Sequence, residues 1–244
     1  MDELLSRALE AHGGLGKWAG LSGLTAEMSL GGPFWKGRGW PDVHERTTVE
    51  IDSHREHITF TPFTAPDRRS VLDVDPERVL IETVTGQAVD DRREPRASFP
   101  SFDPATTPWD ALQVAYFTSY AVWNYLTTPY LLTYPEVEAH EIEPWQEGGQ
   151  TWRRLQVKFP RSIATHNAEQ IFYFGSDHLL RRLDYQPEVT GAPIAHYVND
   201  PREFDGFVFP TRRRVYSRQA DGTADQSLAY ITLDIDRVTV RRRK

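Results

Sequence analysis

The residues in this sequence that could do chemistry are two histidines and an aspartate in its second half, His166, Asp184 and His196. A histidine titrates near neutral pH, and a neighbouring carboxylate can orient its ring for proton transfer. If the strands that carry these residues alternate regularly, the three side chains meet on one face of a sheet and could shuttle protons. They would instead form an ordinary polar network on an exposed face if Arg182 pairs with Asp184. We favour this second interpretation, because strand register cannot be checked from sequence.

Other catalytic patterns are missing from the sequence. It contains no phosphate-binding Gly-Lys loop, no dinucleotide-binding glycine pattern, no Gly-x-Ser-x-Gly and no His-Glu-x-x-His. It has no cysteine, which excludes disulfides and thiolate zinc sites. His54 and His57 fall at a turn and favour a surface position over a metal site. We expect His12 to be a cation at a helix end, and His44 and His178 to face solvent. No metal and no cofactor are expected.

The composition is that of an ordinary globular protein. The chain has 244 residues, 39% hydrophobic and 26% charged, which predicts one domain over residues 1–244. A formal charge of −7 disfavours nucleic acid as a partner. The acidic, amphipathic N-terminus lacks the basic start of a secretory signal, so we expect a cytosolic protein. The most apolar stretch, residues 109–132, is broken by polar residues and a proline, so no membrane span is expected.

Alternation of apolar and polar residues predicts a mainly antiparallel β protein of the α+β class. It begins at Leu24–Leu30, after a short N-terminal helix that should stop at Gly13-Gly14. Further strands are predicted at 43–51, 57–63, 78–84, 137–142, 152–159, 169–174, 180–186, 207–216 and 228–235, with a short segment carrying His196 and Tyr197. Strand 169–174 is apolar on both faces, so we expect it to be covered twice and to lie near a cavity or a helix.

A second helix is predicted from Thr107 to about Thr127. Thr107 would be its N-cap and Pro108 its first residue. The helix is apolar on nearly every side, so it should be enclosed against the sheet. The residues expected to be buried there are Leu112, Tyr116, Tyr120 and Trp123.

The segment Asp90–Thr106 lacks any periodic pattern and contains three prolines. Loops of this length in compact domains are often lids or binding loops, and two phenylalanines argue against plain disorder. We therefore expect this loop to lie across the mouth of a pocket.

The element order resembles the half-barrel fold of the LolA/LolB-like lipoprotein-carrier superfamily. The C-terminal segments Phe209-Pro210-Thr211, Asp221-Gly222-Thr223 and Ile231-Thr232-Leu233-Asp234 fit that layout. The resemblance implies a curved antiparallel sheet whose concave face holds the N-terminal and mid-chain helices, with an apolar cavity between. Carriers use such a cavity for acyl chains, and at least one cytosolic pigment-pathway enzyme uses it for cofactor-free chemistry. This sequence lacks the carriers' export signal and anchoring cysteine.

Two functions follow from this layout. The first is binding of a small apolar or aromatic molecule between sheet and helix, supported by an aromatic content of 12%. The residues expected to contact that ligand are Tyr116, Tyr120, Trp123, Tyr173, Tyr185 and Tyr197. The alternative is a cofactor-independent cyclase, isomerase or hydrolase that uses His166, Asp184 and His196 as acid and base. A binder's pocket should be apolar throughout, whereas an enzyme's should hold a histidine or carboxylate within reach of the ligand.

Overall fold

A computed structural model of the protein describes residues 1–100 and 106–243. Within these residues, antiparallel strands form one large, curved and unclosed sheet in the order β6-β5-β4-β3-β2-β1-β14-β12-β11-β10-β9-β8-β7, with β13 beside β12. In chain order, β1 to β14 span Leu21–Gly31, His44–Asp52, His57–Thr61, Arg68–Val74, Glu77–Thr83, Ala88–Arg93, Glu138–Glu147, Gln150–Lys158, Glu169–Phe174, Leu180–Tyr185, Ile194–Phe204, Phe207–Arg218, Ala224–Asp225 and Ile231–Arg242. The predicted α+β half-barrel is confirmed.

The helices cover one face of this sheet. Helices α1 to α4 span Glu3–Ala11, Leu15–Ala19, Pro33–Gly37 and Ala111–Thr127, and 3₁₀ turns occupy Pro95–Ser98 and Tyr130–Thr133. Helix α1 ends before Gly13, where a positive φ of 125° and the carbonyl of Gly206 leave no room for a side chain: a Cβ would lie 2.6 Å from that oxygen. No helix among the described residues is long and apolar enough to cross a membrane.

Helix α4 is enclosed as predicted, although it begins later than expected. Its N-cap is Asp110 rather than Thr107, because the Asp110 carboxylate accepts from the backbone N–H of Gln113 at 2.8 Å and the Gln113 amide oxygen accepts from the backbone of Asp110. The helix ends at Thr127, as predicted. The four residues expected to be buried are at most 2% exposed: Leu112, Tyr116, Tyr120 and Trp123.

The segment predicted as a single long loop is largely structured where it can be described. Residues 90–93 complete the edge strand β6, which pairs with β5, and Pro95–Ser98 forms a 3₁₀ turn. Most of β6 faces solvent, so its sequence has no apolar alternation that would predict a strand. Residues 101–105 of the expected lid lie outside the described residues.

Strand β9 is covered on both faces, as its sequence predicted. Phe172 and Phe174 join the main core beneath the helices. Tyr173 points the other way, into a second cluster on the outer face of the sheet with Trp152 and Tyr197. The sheet therefore has two covered faces at this end, and residues of opposite parity on one strand reach different environments.

Candidate functional site

A cavity of about 250 Å³ lies between the sheet and its helices. Helix α4 contributes Phe117, Ala121 and Tyr125 at a spacing of four, so these side chains form one stripe along the helix. Helix α3 contributes Trp35, and β1, β12 and β14 form the opposite wall. The volume is near the lower end of ligand pockets, which start at roughly 300 Å³. The space suits a small, mainly apolar molecule.

A chain of hydrogen bonds between aromatic side chains runs along the wall of this cavity. His166 is hydrogen-bonded through Nδ1 to the Tyr120 hydroxyl at 3.1 Å and through Nε2 to the Tyr125 hydroxyl at 2.7 Å. The Tyr125 hydroxyl contacts that of Tyr185 at 3.2 Å. Tyr185 is in turn hydrogen-bonded to His196 Nδ1 at 3.1 Å. The far nitrogen of His196, Nε2, is buried and has no hydrogen-bond partner among the residues that the structure describes.

Both histidines of this chain are neutral at physiological pH. Burial, reinforced by the charge of Arg96, lowers the pKa of His166 to about 3. Burial also holds the pKa of His196 well below its usual value, and the charge of Arg213 acts in the same direction. Each imidazole therefore has one N–H and one lone pair to offer and carries no charge.

The cavity contains a buried arginine, Arg213 of β12, which is 1% exposed. Its Nη2 donates to the backbone carbonyl of Tyr125 at 3.1 Å, and its guanidinium lies 4.6 Å from the centre of the Tyr125 ring. Its Nε and Nη1 have no hydrogen-bond partner in the described part of the chain. Burial lowers the pKa of Arg213 to about 10, so it remains charged at neutral pH. No aspartate or glutamate is among the described residues that line the cavity.

The rim of the cavity comes from the loop between β10 and β11, not from the expected lid. Pro187, Thr190, Ala192 and Pro193 of that loop line the cavity. None of the described residues in the segment 90–106 does so. Arg96 of that segment is instead held on another surface by an ion pair with Glu188 at 2.8 Å. The predicted lid position is therefore wrong for the part of the segment that is described.

The structure brings together two of the three residues expected to do acid/base chemistry. His166 and His196 line the cavity, but Asp184 does not. Leu183 is the residue of β10 directly opposite His196 on β11, so Asp184 projects from the other face of the sheet. The expectation that all three side chains share a face is therefore wrong, because Leu183 rather than Asp184 is paired with His196.

Asp184 belongs to the network on the outer face. Its carboxylate accepts from Arg182 Nε at 2.6 Å and from the Tyr173 hydroxyl at 2.8 Å. The Arg182 guanidinium also donates to Glu147 and to the Tyr197 hydroxyl, at 2.9 and 3.1 Å. All of the buried charges here are paired, so the network fixes the packing of this face. Tyr173 and Tyr197, expected at the ligand, lie in it rather than at the cavity.

Of the other residues expected at the ligand, only Tyr185 lines the cavity. Tyr120 reaches it through its bond to His166. The Tyr116 hydroxyl instead donates to Glu77 at 2.8 Å, and Trp123 Nε1 donates to the backbone carbonyl of Asp52 at 2.9 Å. Both are buried at other parts of the core, because a helix apolar on all sides packs against several surfaces at once.

Sequence reasoning missed Tyr125 and Arg213, which add a hydroxyl group and a positive charge to the cavity wall. The spacing of Tyr125 from Phe117 and Ala121 would have placed it on their stripe. Arg213 is the middle of three consecutive arginines, and a strand must turn the middle side chain away from its neighbours. Arg213 lies two residues before the buried Val215 on the same strand, so both side chains point to the same face. This spacing is the sequence signal that could have placed Arg213 inside.

Two histidines elsewhere are buried, contrary to expectation. His12 is 2% exposed, and its Nδ1 lies 2.7 Å from the carbonyl of Ala8. Burial lowers its pKa to about 4, so it is not a helix-end cation at neutral pH. His44 is also 2% exposed and packs against the ring of Phe60, and burial lowers its pKa to about 3. Both expectations failed because tertiary contacts cover these positions.

Comparison with known proteins gives structural likeness without sequence likeness. No family model and no curated protein matches the sequence. A DUF1329 family protein from Desulfovibrio piger superposes with a TM-score of 0.53 and 11% identity, over 98% of this chain and 91% of the other. A putative outer membrane lipoprotein-sorting protein domain from Vibrio parahaemolyticus superposes with a TM-score of 0.53 and 8% identity, again over 98% of this chain and 91% of the other. A LolA superfamily protein from Nitrosomonas europaea superposes with a TM-score of 0.45 and 10% identity, over 99% of this chain and 93% of the other.

These neighbours contradict the cytosolic location expected from the sequence. The finding that overturns this expectation is the likeness in fold to the Vibrio parahaemolyticus domain, a putative outer membrane lipoprotein-sorting protein. The N-terminal pattern behind the expectation belongs to α1, whose leucines Leu4, Leu5 and Leu9 are buried in the core. It records how this helix packs and carries no information on location. At the level of fold, the resemblance seen in the sequence is confirmed: the chain shares the half-barrel fold of the Desulfovibrio piger and Vibrio parahaemolyticus proteins.

Proposed function

We propose that this protein binds a small apolar or aromatic molecule in the cavity between its curved sheet and helix α4. The observation that carries the proposal is the cavity itself, about 250 Å³ in volume and lined mainly by apolar side chains. Its position under a half-barrel sheet also supports the proposal, since one solved protein of this fold is a putative lipoprotein-sorting protein.

The lining favours a flat or flexible ligand. Phe34, Trp35 and Phe117 present rings on one side, and Tyr125 and Tyr185 do so on another. Aromatic side chains combine large apolar area with fixed geometry, so they bind planar groups and alkyl chains without losing much rotamer freedom.

The acid/base alternative has less support. His166 and His196 do reach the cavity, but a histidine with a strongly lowered pKa is a weak base at neutral pH. Asp184, expected to orient them, lies on the other face. Enzymatic turnover of a bound molecule is therefore our second candidate, and the hydroxyls hydrogen-bonded to those imidazoles are Tyr120, Tyr125 and Tyr185.

The proposal is tested with N-phenyl-1-naphthylamine, a neutral apolar dye that fluoresces on leaving water. Wild-type protein should bind it at a stoichiometry of one. Ala121→Phe should abolish binding, because Ala121 is 5% exposed and its side chain borders the cavity. Ala88→Phe adds the same ring at an exposed position of β6 and should bind like wild type. Equal binding by both variants would place the dye outside the cavity and overturn the proposal.

A further inference from the structure

We propose that the ligand of this cavity is an apolar acid whose carboxylate is bound by Arg213 and His196. This inference rests on the proposed function and adds the chemical class of the ligand. It starts from two buried polar groups on the cavity wall that have hydrogen-bonding capacity to spare, Nε and Nη1 of Arg213 and Nε2 of His196.

Among residues 1–100 and 106–243, no carboxylate pairs with the positive charge of Arg213. The titratable groups that interact with it are Tyr125 from α4, Tyr185 from β10, and the neutral imidazoles of His196 and His12. Neither tyrosine ionises at neutral pH, because burial raises the pKa of Tyr125 to about 12 and that of Tyr185 well above its usual value. Buried charges in proteins are normally paired, since an unpaired one loses its hydration without compensation. An anion in the cavity would supply the missing partner.

The two groups are placed to meet one anion. His196 on β11 is directly opposite Val215 on β12, and Arg213 is the next residue of β12 with the same parity, so the side chains are diagonal neighbours on one face. His196 Nδ1 can accept from the Tyr185 hydroxyl, which puts the ring proton on Nε2 and makes that nitrogen a donor. The donors of both residues then border one cavity.

A carboxylate fits this subsite better than a phosphate. Arg38 also borders the cavity, but its guanidinium donates to the backbone carbonyl of Thr107. The subsite of Arg213 and His196 itself offers one full positive charge and one neutral donor, which match a group with a single negative charge. A phosphate monoester carries nearly two negative charges at neutral pH and would leave one unmatched at this subsite. Most of the remaining lining is apolar, including Phe34, Ala121 and Leu233, so the rest of the molecule should be hydrocarbon.

The experiment is displacement of N-phenyl-1-naphthylamine at pH 7.4 by decanoate, decan-1-ol and decyl phosphate, which share one alkyl chain. Decanoate should displace the dye from wild type at a concentration lower by about tenfold or more than decan-1-ol, as expected for a charge-assisted hydrogen bond. Arg213→Met keeps most of the side-chain volume and should remove that advantage while dye binding persists. Arg212→Gln, at the exposed neighbour on the other face, should retain it.

The outcomes separate the two proposals. If the dye does not bind wild type, the proposed function fails. If the dye binds but decanoate and decan-1-ol compete equally, the cavity binds apolar molecules and the carboxylate subsite is overturned. Tighter competition by decyl phosphate would assign the site to phosphate esters and overturn the carboxylate class. Because the comparison of the three competitors uses wild-type protein, it decides the chemical class of the ligand even if Arg213→Met does not fold. In that case His196→Gln, which should lose affinity for decanoate and keep dye binding, tests the subsite.

Discussion

The imidazole of His166 lies flat against the phenol ring of Tyr185, with ring centroids 4.2 Å apart and planes inclined by 6°. His166 is also hydrogen-bonded at both of its nitrogens, to Tyr120 and Tyr125. The segment before β9 is thereby tied to α4 and to β10. One uncharged ring fixes three walls of the cavity relative to each other.

We expect His166→Phe to destabilise the fold. The phenyl ring keeps the stacking on Tyr185 but leaves the buried hydroxyls of Tyr120 and Tyr125 without this partner, which should lower the free energy of unfolding by about 2–4 kcal/mol. His166→Gln retains hydrogen-bonding groups and should lose less. Urea denaturation measures both. A phenylalanine variant as stable as wild type would show that the hydrogen bonds of this ring contribute nothing.

His44 should make the fold sensitive to acid. Its pKa is lowered by burial to about 3 in the folded state, so the unfolded chain binds the proton more tightly. The stabilisation is complete above about pH 6.5 and is lost as pH falls, by roughly 1.4 kcal/mol per pH unit. His44→Leu should therefore reduce the fall in unfolding free energy between pH 6.5 and 4.5 by about 2–3 kcal/mol. His140→Gln, at an exposed position of β7, should change this fall little.

Asp184 should matter to stability and not to ligand binding. Asp184→Ala leaves the buried Arg182 without its closest carboxylate and should cost about 3–5 kcal/mol of unfolding free energy. Asp91→Ala breaks an exposed ion pair with Arg78 and should cost less than about 1 kcal/mol. Folded Asp184→Ala protein should bind N-phenyl-1-naphthylamine as wild type does. A selective loss of dye affinity would instead return Asp184 to the site.

His196 should matter more to function than to folding. His196→Gln keeps a hydrogen-bonding group near Tyr185, so we expect it to lose about 1 kcal/mol of unfolding free energy. In a protein of this size such a loss lowers the melting temperature by roughly 2–4 °C. Its affinity for decanoate should fall several-fold while dye binding is kept. A large drop in melting temperature with unchanged decanoate affinity would show that His196 is a packing residue.

The fold was accessible from sequence wherever one face of an element is buried and the other is not. The alternation in Leu24–Leu30 predicted β1, and the cluster of rings around Tyr120 predicted the enclosed α4. Strands β4 and β6 were missed. Charged side chains dominate Arg68–Arg69 and Asp90–Arg93, and an edge strand such as β6 is held by backbone hydrogen bonds that leave no apolar pattern.

The site was only partly accessible, because it depends on which strands pair and in what register. Both histidines were identified, but the face of Asp184 depends on whether Leu183 or Asp184 lies opposite His196. The sequence contains nothing that distinguishes these pairings. The burial of Arg213 likewise depends on tertiary packing. Three adjacent arginines suggest a solvent-facing strand when the neighbouring strands are not known.

The position of β14 also has a consequence for the order in which the molecule assembles. Strands β1–β6 form one meander and β7–β12 another, and β14 is the strand that pairs with β1 on one side and β12 on the other. Contacts between residues about 210 positions apart, such as Ala26 with Val238, must therefore form before the two meanders become one sheet. Such distant contacts make folding slow. Since Ile231 and Leu233 of β14 also line the cavity, the pocket cannot be complete until β14 has joined the two meanders.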